Sequence, residues 1–185
     1  MNNTVTDAYG IDAVIKKVQE PLYSSVIERW SLTGGKSLSI NGYGRVYRNM
    51  SSSGKKPEAY LGNGEYADVF YDDNADANFF FLVSDRASTD DEVVFSTDVK
   101  VVFCMNLEKC LLGEDRMDGL AHRDAMDFLR NNPYSGKFVI TGYETGLENI
   151  FSGYSISGIE KDNLQPYHCF AVLIDLNYSL TDKCT

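Results

Sequence analysis

Cys169-Phe170-Ala171-Val172-Leu173-Ile174-Asp175-Leu176-Asn177-Tyr178-Ser179-Leu180 is the stretch that decides the fold class. In an extended chain Phe170, Val172, Ile174, Leu176, Tyr178 and Leu180 point one way, and the intervening residues point the other. The first set is wholly apolar and the second is half polar. That asymmetry predicts a strand in an antiparallel or mixed sheet with helices on one face. Val99, Val101, Phe103, Met105 and Leu107 repeat the pattern and predict a second long strand.

Two segments carry helical spacing instead. Ile11, Val14, Ile15, Val18, Leu22, Val26, Ile27 and Trp30 recur at intervals of mostly three and four. Thr6 or Asp7 can cap this helix, Pro21 should kink or split it, and Gly34-Gly35 ends it. Met117, Leu120, Ala121, Ala125, Phe128 and Leu129 form the second apolar face, with Asp115 as a cap and Asn131-Asn132-Pro133 as a stop. Between the helices lie short strand-like pieces: Gly44–Arg48, Ala59–Leu61, Ala67–Tyr71 and Asn78–Val83. They are separated by the turn-rich runs Ser51-Ser52-Ser53-Gly54, Gly62-Asn63-Gly64 and Asp72-Asp73-Asn74. Lys137–Thr141 is a further strand, and the glycine-rich segment 142–158 holds turns around Leu147–Phe151. The expectation is an α+β fold: an antiparallel or mixed sheet, two main helices packed on one face, and long hairpin loops. It is one domain over residues 1–185, with an extended loop or hairpin region near 50–96 and a long loop around 50–58.

The 185 residues suffice to bury about two thirds of the unfolded chain's surface. Twelve tyrosines and ten phenylalanines supply large flat groups for core or interface. The net charge of −10 is uneven: residues 1–66 carry 8 basic and 6 acidic side chains, residues 67–185 carry 9 and 21. Such a balance argues against general nucleic-acid binding, which needs Lys and Arg to release counterions. It suits a subunit whose two ends meet different neighbours, and equally a surface kept soluble by acid. Cys104, Cys110, Cys169 and Cys184 form no CxxC pair and no disulfide-type spacing, which points to a reducing compartment. The polar start Met-Asn-Asn-Thr-Val-Thr-Asp is unlike a signal peptide, and no apolar run approaches a membrane span.

Several motifs carry part of a chemical signature. Asp72, Asn74, Asp76 and Asn78 sit at alternating positions of a calcium-type loop, but Ala77 replaces the turn glycine and Val83 the bidentate glutamate. Gly34-Gly35-Lys36-Ser37 resembles the end of a phosphate loop whose first glycine position is Trp30. Cys169 and His168, as neighbours on a strand, face apart, so they make a poor nucleophile pair. Cys104, Cys110, His122 and His168 have no common zinc spacing. No catalytic, cofactor or metal residues are therefore assigned. Phe79-Phe80-Phe81 needs cover on both faces of its strand, from a second layer of the chain or from a neighbouring subunit.

The opening Ile11-Asp12-Ala13-Val14-Ile15-Lys16-Lys17-Val18-Gln19, the middle Asp98-Val99-Lys100-Val101-Val102-Phe103 and the ending from Pro166 to Leu176 resemble three parts of the head-to-tail connector and tail-terminator proteins of tailed bacteriophages. These are the first helix, a sheet strand after a long extended loop, and the last strand. The Asn-, Tyr- and Asp-rich style is similar to that of phages infecting Bacteroidetes, including the crAss-like group. The likeness is one of pattern over most of the chain, without a diagnostic motif. It implies a non-catalytic virion protein that forms a homo-oligomeric ring and contacts portal, adaptor or tail proteins. DNA would pass its channel without specific binding, and no membrane or cofactor is involved. Loops near 50–58 and 84–96 would reach neighbours, with Phe79, Phe80, Phe81, Asp90, Asp91 and Glu92 as candidate subunit-interface residues. The competing readings are a stand-alone bacterial binding module and a small enzyme with a site in 142–158, where Glu144 or Glu148 would be the base.

Overall fold

The computed structural model describes residues 1–34, 37–51, 54–70, 74–111, 116–156 and 166–184. The calcium-type loop at Asp72-Asp73, the Gly35-Lys36 pair, Ser52-Ser53 of the expected turn, the Asp115 cap expected from sequence and residues 157–158 lie outside that set.

The protein is α+β, built on one mixed sheet. Its strands are β1 (Asn2–Asn3), β3 (Ile40–Ser51), β4 (Gly54–Gly62), β5 (Glu65–Asp68), β6 (Ala77–Val83), β7 (Val94–Asn106), β8 (Phe138–Thr145) and β9 (Tyr167–Ser179). Their order is β5-β4-β3-β6-β7-β9-β8, with β1 beside β3. Two short strands, β2 (Ala8–Tyr9) and β10 (Lys183–Cys184), form a separate antiparallel pair. The centre is the β7–β9 ribbon, in register from Val94↔Ser179 to Asn106↔Tyr167. All neighbouring pairs are antiparallel except β3–β6 and β1–β3.

Helices α1 (Ile11–Gly34) and α3 (Asp118–Arg130) cover one face. On α1, Val14, Val18, Leu22, Val26 and Trp30 recur every fourth residue and are all buried. They pack with Phe79, Phe81, Val101, Phe103, Phe170 and Val172 of the sheet and Ala121, Ala125 and Leu129 of α3. The helix starts after Gly10, whose φ of +57° suits glycine, so neither Thr6 nor Asp7 adjoins its first turn. Pro21 does not split it. Proline leaves the Lys17 carbonyl without its usual N–H donor. One residue further on, the buried Asn132 amide donates to the Val18 carbonyl (2.9 Å) and ties the end of α3 to α1.

The opposite face is covered by the same chain. A parallel β3–β6 pair requires a crossover, and this one brings Val69 and Phe70 over the sheet. The short helix α4 (Leu147–Ile150) and Phe151 complete the cover above Phe80, Val102, Cys104, Cys169 and Ala171. Phe151 stacks on Phe80 and meets Phe70 edge-on. A second short helix, α2 (Leu107–Cys110), follows β7 and is capped by the Asn106 side chain, which accepts from the Lys109 N–H. The segment expected as a loop around 50–58 is instead the β3–β4 hairpin, paired from Val46↔Ala59 out to Ser51↔Gly54. Pro57 is tolerated there because β5 reaches only to Glu58.

Candidate functional site

The candidate interface residues fall into two groups. Phe79, Phe80 and Phe81 are at most 1% exposed, with the chain's own layers on both sides. The second cover their sequence calls for is intramolecular, so as interface residues they have no exposed side chain to act through. Asp90, Asp91 and Glu92 are exposed, in the turn before β7. The Asp91 carboxylate accepts from the Val94 (2.8 Å) and Val93 (2.9 Å) N–H groups, which hold its pKa below the ordinary value. Asp91 thus shapes the turn and leaves Asp90 and Glu92 as its outward charges.

Glu144, one of the two candidate bases, lies 2.6 Å from Lys100 Nζ. Lys100 also donates to the Asn149 carbonyl (2.7 Å), so the pair anchors α4 to the sheet.

The two histidines meet each other rather than the cysteines. His122 on α3 and His168 on β9 place their Nε2 atoms 2.9 Å apart, packed against Phe170 and Tyr143. Arg116 Nη2 lies 3.4 Å from His168 Nδ1, and Arg116 is held by Asp118. Burial lowers the pKa of both rings, that of His168 to about 4. The sulfurs sit elsewhere: Cys104 and Cys169 oppose each other on the second face with Sγ atoms 3.1 Å apart. Among the described residues no three His, Cys, Asp or Glu side chains converge as a metal site.

A cavity of about 250 Å³ with both apolar and charged walls opens between the start of α1, the N-terminal segment and β3. Asp12, Lys16 and Gln19 line it from α1, Arg45 and Tyr47 from β3, and Tyr60 from β4. A break in strand alternation creates it. The β3–β6 register shifts between Gly42 and Arg45, and Tyr43 and Val46, three apart, both pack on the second face. This bulge turns Arg45 and Tyr47 toward α1. Gly44 sits within the bulge, where a Cβ would come 3.3 Å from Gln19 Oε1.

Within the cavity, Asp12 Oδ2 accepts from the Tyr47 hydroxyl (3.2 Å), while the Asp12 Oδ1 atom is buried and makes no hydrogen bond to a described residue. The nearest cation is Arg45 Nη1 at 3.9 Å, beyond hydrogen-bonding distance. Burial raises the Asp12 pKa against the opposing pull of Arg45, and burial together with Asp12 pushes Tyr47 up to about 12. The Arg45 guanidinium stacks over the Tyr47 ring at 5.1 Å. Gln19 spends its amide N–H groups on Asn2 Oδ1 and the Asn3 carbonyl, both at 2.8 Å. The sequence signal for this site is Gly42 and Gly44 inside a strand, the mark of a bulge.

No protein-family model matches the chain, and no curated protein matches it. No described helix is long and apolar enough to cross a membrane.

Proposed function

We propose that the chain is a structural subunit that assembles with copies of itself into a ring, of the connector or terminator type found at the neck or tail of tailed bacteriophages. The supporting observation is that the sheet ends in two unlike edges. Among the described residues β5 pairs only with β4, and β8 pairs only with β9. Edge strands present unpaired backbone groups to another chain. β8 contains no lysine or proline and exposes Val139 (62%) and Tyr143 (55%). Two different edges favour a head-to-tail contact, which closes into a ring when the rotation allows. The three-part resemblance of the first helix, the middle strand and the last strand carries the bacteriophage assignment. The acidic bulk of residues 67–185 would keep passing DNA from adhering to a channel.

Copy number tests this reading. Purified particles of the encoding phage should contain the chain in a fixed, simple ratio to the portal. Doubly substituted Val139→Lys, Tyr143→Lys protein should fold but fail to enter particles. Absence of the wild-type chain from particles overturns the reading. The cavity beside Asp12 favours a second reading, a stand-alone binding module, expected to be a monomer with one ligand.

A further inference from the structure

The donors and acceptors around the cavity satisfy one another only in part. Among the described residues Asp12 Oδ1 has no hydrogen bond and Gln19 Oε1 accepts none. Beside them the Arg45 guanidinium donates no hydrogen bond to a described residue, its contacts being the Tyr47 ring and the 3.9 Å approach to Asp12. A buried acceptor without a donor is costly, and a guanidinium is built to grip a carboxylate with two N–H groups. The complementary ligand is therefore a donor at one end and an acceptor at the other, with the two ends a few ångströms apart.

We infer that this cavity binds a free α-amino acid. Its ammonium would lie against Asp12 and Gln19, and its carboxylate on Arg45. In an α-amino acid the two charges sit on one carbon and its neighbour, which suits an Asp12–Arg45 separation of 3.9 Å. The volume of about 250 Å³ suits a molecule of that size. Ile15, Ala8 and the Tyr60 ring form the apolar part of the wall and would receive the side chain. Binding would place donors on the acceptors and let Arg45 shift toward the ligand, uncovering Asp12 Oδ1. The wall formed by the first ten residues is fixed at both ends. Asn2 and Asn3 pair with β3, and the Gly10 N–H donates to the Asp182 carbonyl (2.8 Å). The inference rests on residues remote from the β8 edge and stands or falls apart from the ring reading.

The test is calorimetric titration of the full chain with each of the common L-amino acids. Matched primary amines and carboxylic acids that lack one of the two charges are titrated alongside. One or more amino acids should give saturable binding at millimolar concentration or below. Each singly charged analogue should bind at least about tenfold more weakly, as expected for loss of a charge-assisted hydrogen bond. Asp12→Asn and Arg45→Gln, shown to be folded by circular dichroism, should each weaken binding by a similar factor. Wild-type protein that binds no amino acid overturns the inference, and that result does not depend on any variant folding. It is also overturned if an amine alone binds as well as the amino acid. The same holds if affinity survives both substitutions, or if the cavity takes only a basic side chain of another protein.

Discussion

His122 and His168 meet nitrogen to nitrogen, Nε2 to Nε2 at 2.9 Å, across α3 and β9. Arginine only donates, so Arg116 Nη2, 3.4 Å from His168 Nδ1, makes that nitrogen the acceptor. His168 then carries its proton on Nε2 and donates it to His122 Nε2. A further proton on His122 sets two N–H groups against each other, and one on His168 Nδ1 faces a guanidinium. Asp118 opposes these effects without cancelling them: burial dominates and leaves His168 at about 4, against an ordinary 6.5.

The pH dependence follows from that depression. Below about 6.5 the unfolded chain takes up protons that the folded chain refuses, so stability is complete above that value and falls as pH drops toward 4. Thermal unfolding should show a lower Tm at about pH 5 than at about pH 7.5, the range in which histidine titrates. His168→Leu keeps an apolar body against Phe170 and should lose less on acidification than the wild type. Equal losses in both proteins would place the acid sensitivity elsewhere.

Asn132 bridges the two helices. Its amide is buried and donates to the Val18 carbonyl at 2.9 Å, and its Oδ1 accepts the Tyr134 N–H at 3.0 Å. Asn132→Ala removes both bonds and leaves the buried Val18 carbonyl unmatched, at a cost of roughly 1–3 kcal/mol. Urea denaturation should show the midpoint lowered with the slope unchanged. An unchanged midpoint would mean that the helices are held by apolar packing alone.

Trp30 is 1% exposed, wedged edge-on against Phe103 and Phe128, and its indole N–H has no partner among the described residues. Removing an unsatisfied buried donor offsets part of the packing lost with it. Trp30→Phe should therefore cost much less than Trp30→Ala, for which about 3–5 kcal/mol is typical of a large core aromatic. Comparable losses in chemical denaturation would indicate that the full indole volume, rather than its unpaired N–H, decides the site.

The parts of this architecture that repeat locally are legible in the chain. The period of four on α1 and the alternation of Phe170 to Tyr178 follow from backbone geometry. What is not legible depends on distance. Phe79-Phe80-Phe81 announces two covered faces, but only the folded chain shows that Val69 and Phe70 from the crossover and Phe151 after α4 provide the second. The pairing of His122 with His168 spans 46 positions and arises from the docking of α3 on β9. The Asp12 cavity depends on a bulge that reverses which residues of β3 face α1, and a strict period of two points Arg45 and Tyr47 the wrong way.

Cys104 and Cys169 oppose each other in the β7–β9 register, both buried under α4. Burial, and then the neighbouring Cys104 sulfur, raises the Cys169 pKa well above a free thiol's. Since the thiolate is the reactive form, neither access nor ionisation favours modification. Alkylation by iodoacetamide, followed by peptide mass mapping, should spare both residues in native protein and label both in urea. Rapid native labelling of Cys169 would mean that the cover formed by α4 opens readily.

Gly42 lies beneath the Phe79 ring and beside β1. A Cβ there would stand 2.7 Å from Phe79 Cζ, 2.9 Å from Cε1 and 3.0 Å from Asn2 Oδ1. The ring has little room to retreat, because Phe79 also packs on Phe103, Phe81 and Tyr23. Gly42→Ala should therefore destabilise by about 1–3 kcal/mol through overpacking. Phe79→Leu alone should also destabilise, by leaving space. The double variant should be more stable than the sum of the two losses predicts, since each change relieves the other. Strict additivity in a denaturation cycle would show that the glycine is not held small by the ring, and the close approach of β1 would become the remaining cause.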